Sequence, residues 1–116
     1  MTVVMYGIAN CDTIKKAKNW LTEHEVDFIF HDYRKQGVPE QILSDAMSAL
    51  GWEPLVNKRG TTYRKLSDAQ KESLSADTAL PLLVEHPAMI KRPLLTVDGN
   101  FHLGFKAAQY EEVFKP

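Results

Sequence analysis

The chain has 116 residues, of which 44% are hydrophobic and 25% are charged, and its formal net charge at pH 7 is -1. This length suits one compact domain, and the composition is that of a folded globule rather than a disordered or fibrous chain. We therefore expect a single domain over residues 1–116. The charge balance excludes an overall basic field, so we expect no direct binding to nucleic acid and no association with a membrane.

The first third of the chain has the pattern of a strand, a helix and a second strand. Residues 2–6 form the β-branched and aromatic run of a strand buried on both faces, and residues 28–33 form a second such run. Between them, apolar residues recur at helical spacing and predict a helix over residues 13–24, with Asn10, Asp12 and Thr13 as candidate caps. The pattern predicts a βαβ unit with parallel strands.

The middle of the chain is polar and helical. A helix is predicted from about Pro39 to a cap at Gly51, and Ser67 and Gln70 have the spacing of a capping box for a short helix. A further helix is predicted over residues 78–85. Its Pro81 is tolerated only in a first turn, because proline has no N–H group to donate inside a helix.

The last part of the chain has the pattern of a β-hairpin followed by a helix. An apolar run over residues 90–97 is followed by Asp98-Gly99, a two-residue turn signal, and then by strict alternation over residues 101–105. A last helix is predicted over residues 107–114. A βαβ half, a helical middle and a ββα half make the thioredoxin-like arrangement: an α/β fold whose mixed sheet is flanked by helices, with a helical insertion in mid-chain.

Cys11, the only cysteine of the chain, lies between the first predicted strand and the first predicted helix. Open α/β sheets place their sites in the loops at the carboxyl ends of strands. At a helix start, unpaired N–H groups and the helix dipole favour an anion, so a thiol there ionises readily. A buried, inert side chain is the alternative for a lone cysteine. Its position favours a catalytic nucleophile.

The sequence provides no second thiol for this site, because Ile14 stands where a C-x-x-C motif would place its second cysteine. A thiolate that attacks a disulfide here would stay in a mixed disulfide until an outside thiol released it. The N-terminal apolar run is too interrupted for a signal core, so we expect a cytoplasmic protein. Glutathione is then the natural co-substrate, and no bound cofactor is expected.

Arg92-Pro93 precedes the predicted third strand. In a thioredoxin-like frame the proline at this place is cis and its backbone faces the thiol. Arg92 would then lie beside Cys11, where it could stabilise a thiolate or hold an oxyanion or carboxylate. The alternative is a trans proline beside a solvated arginine. Asn10 and Thr13 are the further candidates for thiolate stabilisation.

Residues 57–65 place four cations around a glycine. A solvated basic loop is one interpretation, and a site for a phosphate, a glutathione carboxylate or an acidic protein is the other. The segment lacks the glycine spacing and the ending of a P-loop. Arg59, Arg64 and Lys106 are the candidate cations for substrate or glutathione binding, together with Pro93. The four histidines have no metal-ligand spacing, so no metal site is predicted.

Three segments, in this order, resemble the arsenate reductase (ArsC) family, and within it the YffB and Spx branch. They are YGIANCDTIKKA at residues 6–17, NKRGTTYRKL at residues 57–66, and the HP at residues 86–87 that leads to KRPL at residues 91–94. The resemblance implies a thioredoxin-like fold. It also implies that Cys11 is the nucleophile and that Arg92 is the arginine before a cis proline.

The resemblance also implies three functions. The YffB proteins suggest a monothiol oxidoreductase, a glutathione-dependent thiol reductase. Spx members suggest a regulator that binds RNA polymerase, here without a C-x-x-C switch because of Ile14. An arsenate reductase coupled to glutathione and glutaredoxin is the third, although this chain has Asn57 and Phe105-Lys106 near the positions of two further arginines of such enzymes. Positive charge for an oxyanion is therefore diminished, and Lys106 and Arg59 are candidates to compensate in part.

Overall fold

The computed structural model describes residues 1–115, and their contacts divide the chain into two compact units. The first unit is Met1–Asp32 with the described part of Arg92–Pro116, and the second is Tyr33–Lys91. A single domain over residues 1–116 stays a prediction. The elements in chain order are β1 (Val3–Gly7), α1 (Asp12–Glu23), β2 (Ile29–Asp32), α2 (Tyr33–Gln36), α3 (Glu40–Leu50), α4 (Thr61–Arg64), α5 (Asp68–Glu72), α6 (Ala76–Glu85), β3 (Leu94–Val97), β4 (Asn100–Leu103) and α7 (Ala107–Val113), with 3₁₀ turns at Glu53–Leu55 and Pro87–Met89.

The first unit contains a mixed four-stranded sheet in the order β2-β1-β3-β4. β1 runs parallel to β2 and antiparallel to β3, and β3 runs antiparallel to β4. The predicted parallel βαβ unit and C-terminal hairpin are therefore confirmed. The second strand ends earlier than predicted, because the chain turns into α2 at Tyr33.

The hairpin between β3 and β4 has the turn that its sequence predicts. Asp98 and Gly99 both have positive φ angles, 49° and 85°, as a type I′ turn requires. Glycine adopts such angles at no steric cost, and the Asp98 side chain accepts a bond of 2.8 Å from the N–H of Thr2. This bond ties the turn to the start of β1.

One face of the sheet is covered by α1 and α7. The cluster of buried side chains between them takes alternate residues from the two central strands and one apolar stripe from each helix, as strand and helix periodicity dictate. Its members are Val3, Met5, Ile14, Ala17, Trp20, Leu21, Leu95, Val97 and Tyr110. The ring of Tyr110 contacts those of Trp20 and Phe105 edge to face, with centroids 5.4 Å and 4.7 Å away.

β1 and α1 approach closely at Gly7. A Cβ atom built on Gly7 would lie 2.5 Å from Cδ1 of Ile14, whose side chain is fully buried. A side chain at this position would therefore force the end of the Ile14 side chain to shift, so packing favours glycine at the end of β1.

In the second unit, α3 contacts α6. The capping box predicted at Ser67 and Gln70 is confirmed, with reciprocal bonds of 3.0 Å and 3.1 Å at the start of α5. The prediction for Pro81 was wrong, because α6 begins at Ala76 and Pro81 is its sixth residue. The helix starts earlier than predicted because the Ser75 N–H donates a hydrogen bond of 2.9 Å to the Thr78 hydroxyl. Pro81 is exposed, and its missing N–H leaves out only one bond of the helix.

Within residues 1–115, no helix has the length and apolar character that crossing a membrane requires.

We expect Gly7→Ala to lower the free energy of unfolding by about 1–3 kcal/mol, because the added methyl group meets a buried side chain. The cost should be smaller in an Ile14→Val background, which lacks the Cδ1 atom that the methyl group would meet. Urea unfolding of the two single variants and the double variant measures this coupling. Equal costs in both backgrounds would contradict the proposed contact.

The burial of Tyr110 predicts that the folded protein loses stability at alkaline pH. Burial raises the pKa of its phenol above the ordinary value of 10.0, so the folded chain holds the proton more tightly than the unfolded chain does. This contribution to stability is fully present below about pH 10 and is lost as the pH rises towards the raised value.

The hydroxyl of Tyr110 makes no hydrogen bond to any described residue. Tyr110→Phe should therefore change the free energy of unfolding at pH 7 by less than about 1 kcal/mol. The same variant should lose less stability than the wild type above pH 10. Urea unfolding of the wild type and the variant at pH 7 and above pH 10 tests this. If both proteins lost the same free energy of unfolding between the two pH values, the prediction would be contradicted.

Candidate active site at the start of the first helix

Cys11 is itself the N-cap residue of α1. Its backbone is extended, with φ -142° and ψ 129°, and its carbonyl accepts the N–H of Lys15 at 3.0 Å. The prediction that Asn10, Asp12 or Thr13 caps this helix was wrong. Asn10 lies before the helix, and Asp12 and Thr13 already belong to its first turn. An N-cap residue is recognised by extended backbone and a bonded carbonyl, and Cys11 has both.

The Cys11 side chain is half-buried and packs against the core cluster beneath α1. It makes no capping hydrogen bond. An N-cap side chain normally accepts from the N–H groups of the second and third helical residues, which are here Thr13 and Ile14. A neutral thiol is a weak acceptor, whereas an anion is a strong one. The N–H groups at the start of α1 are therefore not capped by the Cys11 side chain.

Pairing of β1 with β3 brings Arg92-Pro93 to the end of the sheet where the Cys11 loop begins. Tyr6 of β1 pairs with Leu94 of β3, and the Arg92-Pro93 peptide bond is cis, as the thioredoxin-like frame implies. A Cβ atom built on Gly7 would lie 3.9 Å from Cβ of Arg92. Arg92 is half-buried and Pro93 is buried. The three residues after Gly7 then lead to Cys11.

A third segment meets the same end of the sheet. The N–H of Gly104 donates to the carbonyl of Pro93 at 2.9 Å. Phe105 turns its ring into the core against Tyr110, and the exposed Lys106 is the N-cap residue of α7. Lys106 therefore lies two residues beyond a direct contact with the cis proline.

The sequence did not single out Gly7 or Gly104 for the site. Gly7 allows α1 to pack close to β1, and the N–H of Gly104 donates a hydrogen bond to the carbonyl of the cis proline, Pro93. The only available signal was a glycine at the end of a predicted strand, which is typical of a close approach between backbones.

The basic segment at residues 57–65 belongs to the second unit and is held by hydrogen bonds and an ion pair. Asn57 donates its N–H to Met89 at 2.8 Å, and its side-chain oxygen accepts the N–H of Arg59 at 3.2 Å. Lys58 forms an ion pair with Glu53 at 3.0 Å. The segment then forms α4, a short helix that the sequence did not predict.

Asn57 therefore has a structural role, because its side chain holds the turn before α4. Arg59 and Arg64 are exposed, and no described carboxylate lies within 4.0 Å of either. Their roles in binding stay predictions. Among residues 1–115, no group of three or more His, Cys, Asp or Glu side chains is placed to hold a metal ion.

We expect Asn57→Ala to lower the free energy of unfolding by about 1 kcal/mol, because the side-chain bond to Arg59 is lost. Asn57→Asp keeps the acceptor and should retain most of the stability. Asn57→Arg should behave like the alanine variant. Urea unfolding compares the three, and an arginine variant as stable as the wild type would contradict the structural role.

The chain is similar to known proteins over most of its length. The chain matches the model of the ArsC family over residues 6–113. It is 45% identical over 112 residues to an uncharacterized protein of Haemophilus influenzae, an alignment that covers 97% of this chain and 98% of the relative. It is also 28% identical over 109 residues to the global transcriptional regulator Spx 2 of Bacillus cereus, covering 89% of this chain and 79% of that protein.

Two solved structures identify the fold. The YFFB protein superimposes with a TM-score of 0.91 at 44% identity, over 96% of this chain and 97% of that one. A glutaredoxin from Archaeoglobus fulgidus reaches a TM-score of 0.55 at 16% identity, over 99% of this chain and 87% of that one, and shows a likeness of fold alone. The predicted thioredoxin-like class is thereby confirmed.

Fold and site together define a thioredoxin-like protein whose single cysteine begins the first helix. The chain belongs to the ArsC family. The similarity to its YffB and Spx branch, predicted from three sequence segments, is confirmed.

Proposed function

We propose that the protein is a monothiol oxidoreductase, a glutathione-dependent thiol reductase with Cys11 as the thiolate nucleophile. The observation that carries this proposal is the position of Cys11. It is the N-cap of a helix of 12 residues and has no side-chain capping bond, at the end of the sheet that carries the cis Arg92-Pro93 bond. A thiolate there would accept helix N–H groups and favourable dipole charge.

The reaction proceeds in two exchanges. The Cys11 thiolate attacks the glutathione sulfur of a glutathionylated thiol, forming a mixed disulfide with glutathione and releasing the substrate as a thiolate. A second glutathione thiolate then attacks the glutathione sulfur of that disulfide, which releases the Cys11 thiolate and glutathione disulfide. The substrate is reduced to its thiol, and the glutathionyl group that it carried leaves with one added glutathione as glutathione disulfide. No second cysteine of this chain is required.

Each remaining candidate residue has a defined part in this proposal. Arg92 stabilises the Cys11 thiolate and the departing thiolate by its fixed positive charge. Thr13 offers a first-turn N–H, and Asn10 orients the substrate from the loop before the helix. The ring of Pro93 is fully buried, so within the proposal Pro93 contacts the substrate through its backbone, whose carbonyl also accepts a bond from Gly104.

The carboxylates of glutathione require cations. Lys106 follows the segment bonded to Pro93 and is exposed. Arg59 and Arg64 are exposed guanidinium groups, which can bind carboxylates through two parallel hydrogen bonds. We assign Lys106, which belongs to the same unit as Cys11, to glutathione binding within the proposal, and the binding roles of Arg59 and Arg64 in the second unit stay predictions.

The test measures mixed-disulfide formation and turnover. The wild type, incubated with glutathione disulfide, should gain the mass of one glutathione, which reduced glutathione then removes. It should also reduce a small glutathionylated substrate at the expense of glutathione. Cys11→Ser should lose both properties. Failure of the folded wild type to form the adduct would refute the proposal.

Variants of the cations separate their roles. Arg92→Ala should lower kcat/KM about tenfold or more, because a charge-assisted interaction with the reacting sulfur is lost. Lys106→Ala should mainly raise KM for glutathione. Lys115→Ala, an exposed lysine at the other end of α7, is the matched control and should leave both constants unchanged. Equal effects of the two lysine variants would contradict a binding role for Lys106.

A second candidate function is a regulator of Spx type, which the similarity to Spx 2 favours. In that case the surface of the fold binds RNA polymerase, and Cys11 is dispensable. Wild type and Cys11→Ser would then capture a polymerase subunit equally well, and neither would turn over a glutathionylated substrate. Arsenate consumption that depends on glutathione and glutaredoxin would instead identify an arsenate reductase.

A further inference from the structure

The outer strand β2 is an open edge of the sheet. It lies at the end of the strand order, and in the described chain it pairs only with β1. Ile29 on this strand is 61% exposed, and Met1 beside it is 76% exposed. They are the two large hydrophobic side chains that are exposed among the described residues, and they line one shallow cleft together with Phe28.

The opposite edge of the sheet is better protected. On β4, the side-chain amide of Gln109 donates to the carbonyl of Leu103 at 3.2 Å. Phe101 and Leu103 are half-buried, and the exposed residue of β4 is the polar Asn100. Edge strands of soluble proteins are usually guarded by charges, bulges or covering side chains, because their outer backbone groups can pair with another strand. Because Ile29 is exposed, β2 is the more apolar of the two edges.

Charged side chains of opposite sign lie on either side of Ile29 along the chain. Nζ of Lys18 lies 3.6 Å from the ring centroid of Phe30, and Lys15 precedes it by one helical turn on the same face of α1. At the other end, Glu25 and Asp27 line a cleft with Phe28. The edge is therefore basic beside Phe30 and acidic beside Phe28.

We propose that a second copy of this chain docks antiparallel on β2, with a twofold axis at Ile29, so that two four-stranded sheets join into one. In an antiparallel pair, residues directly opposite each other share a face. This register pairs Ile29 with Ile29 of the second copy, Phe28 with Phe30, and Asp27 with His31. The exposed isoleucines cover each other, and an aromatic pair forms on the side facing α1.

The same axis brings unlike charges together. Because the strands run in opposite directions, the basic end of one edge, with Lys15 and Lys18, meets the acidic end of the other, with Glu25 and Asp27. Each contact occurs twice, as an isologous interface requires. A partner of uniform charge would be attracted at one end of β2 and repelled at the other. This self-complementarity is the reason to assign the edge to a second copy.

The interface is small, because it consists of a short strand and the side chains beside it. Stable dimers usually bury about 800 Å² on each partner, so we expect a reversible dimer whose population depends on protein concentration. Sedimentation velocity over a concentration series measures it. Ile29→Glu places two carboxylates at the axis and should raise the dissociation constant at least tenfold.

Asn100→Glu is the matched control, because it adds the same charge to an exposed position of the opposite edge. It should dimerise like the wild type. A wild type that stays monomeric at the highest soluble concentration, or a dimer that Ile29→Glu leaves unchanged while the variant remains folded, would overturn the proposal. A monomeric wild type would mean that any partner of β2 is a different molecule.

Charge exchange tests the register and does not alter Ile29. Lys18→Glu alone and Glu25→Lys alone should each weaken the dimer, since each sets like charges against each other across the axis. The double variant Lys18→Glu/Glu25→Lys should dimerise more strongly than either single variant. An additive loss in the double variant would contradict the antiparallel arrangement.

A cross-link provides a second readout should Ile29→Glu not fold. Ile29→Cys in a Cys11→Ser background places two thiols opposite each other at the axis, and a short bismaleimide should join them into a covalent dimer. Asn100→Cys in the same background should not be joined. Cross-linking of Asn100→Cys alone, or of neither variant, would refute docking through β2.

Discussion

The close packing at Gly7 joins the two chain segments that carry the candidate site. With no side chain at Gly7, Ile14 fills the space beside β1, and the start of α1 packs against the end of the strand. Cys11 begins that helix, and Arg92, which precedes β3, approaches Gly7 from the other side. Gly7 therefore lies against both segments, the one that carries the thiol and the one that carries the arginine.

Ile14 also explains why the site has one thiol. It occupies the position of the second cysteine in a C-x-x-C motif, and its side chain is fully buried in the core. The side chain at this position therefore packs in the core and provides no second thiol. If Cys11 reacts with a disulfide, a thiol from outside the chain must resolve the mixed disulfide, because the packing of α1 places isoleucine where a resolving cysteine would stand.

The sequence predicted the elements that depend on local chemistry. The Asp98-Gly99 turn, the Ser67 capping box and the parallel βαβ unit needed only spacing and conformational preference. It did not predict the tertiary bond from the N–H of Asn57 to the carbonyl of Met89. It also did not single out two local bonds: the N–H of Arg59 donates to the Asn57 side chain, and the Ser75 N–H donates to Thr78, which moves the start of α6 from the predicted residue 78 to Ala76. At the site, the order of strand, cysteine and helix was enough to single out Cys11, whereas the identity of the cap depends on backbone angles.

The central claim is that the start of α1 activates Cys11. The most direct test is the rate at which Cys11 forms a mixed disulfide with glutathione disulfide at pH 7, measured in the folded chain and in the same chain unfolded in urea. We expect the folded chain to react faster, because the start of α1 stabilises the reacting sulfur. A folded chain that reacts no faster than the unfolded chain would contradict this claim.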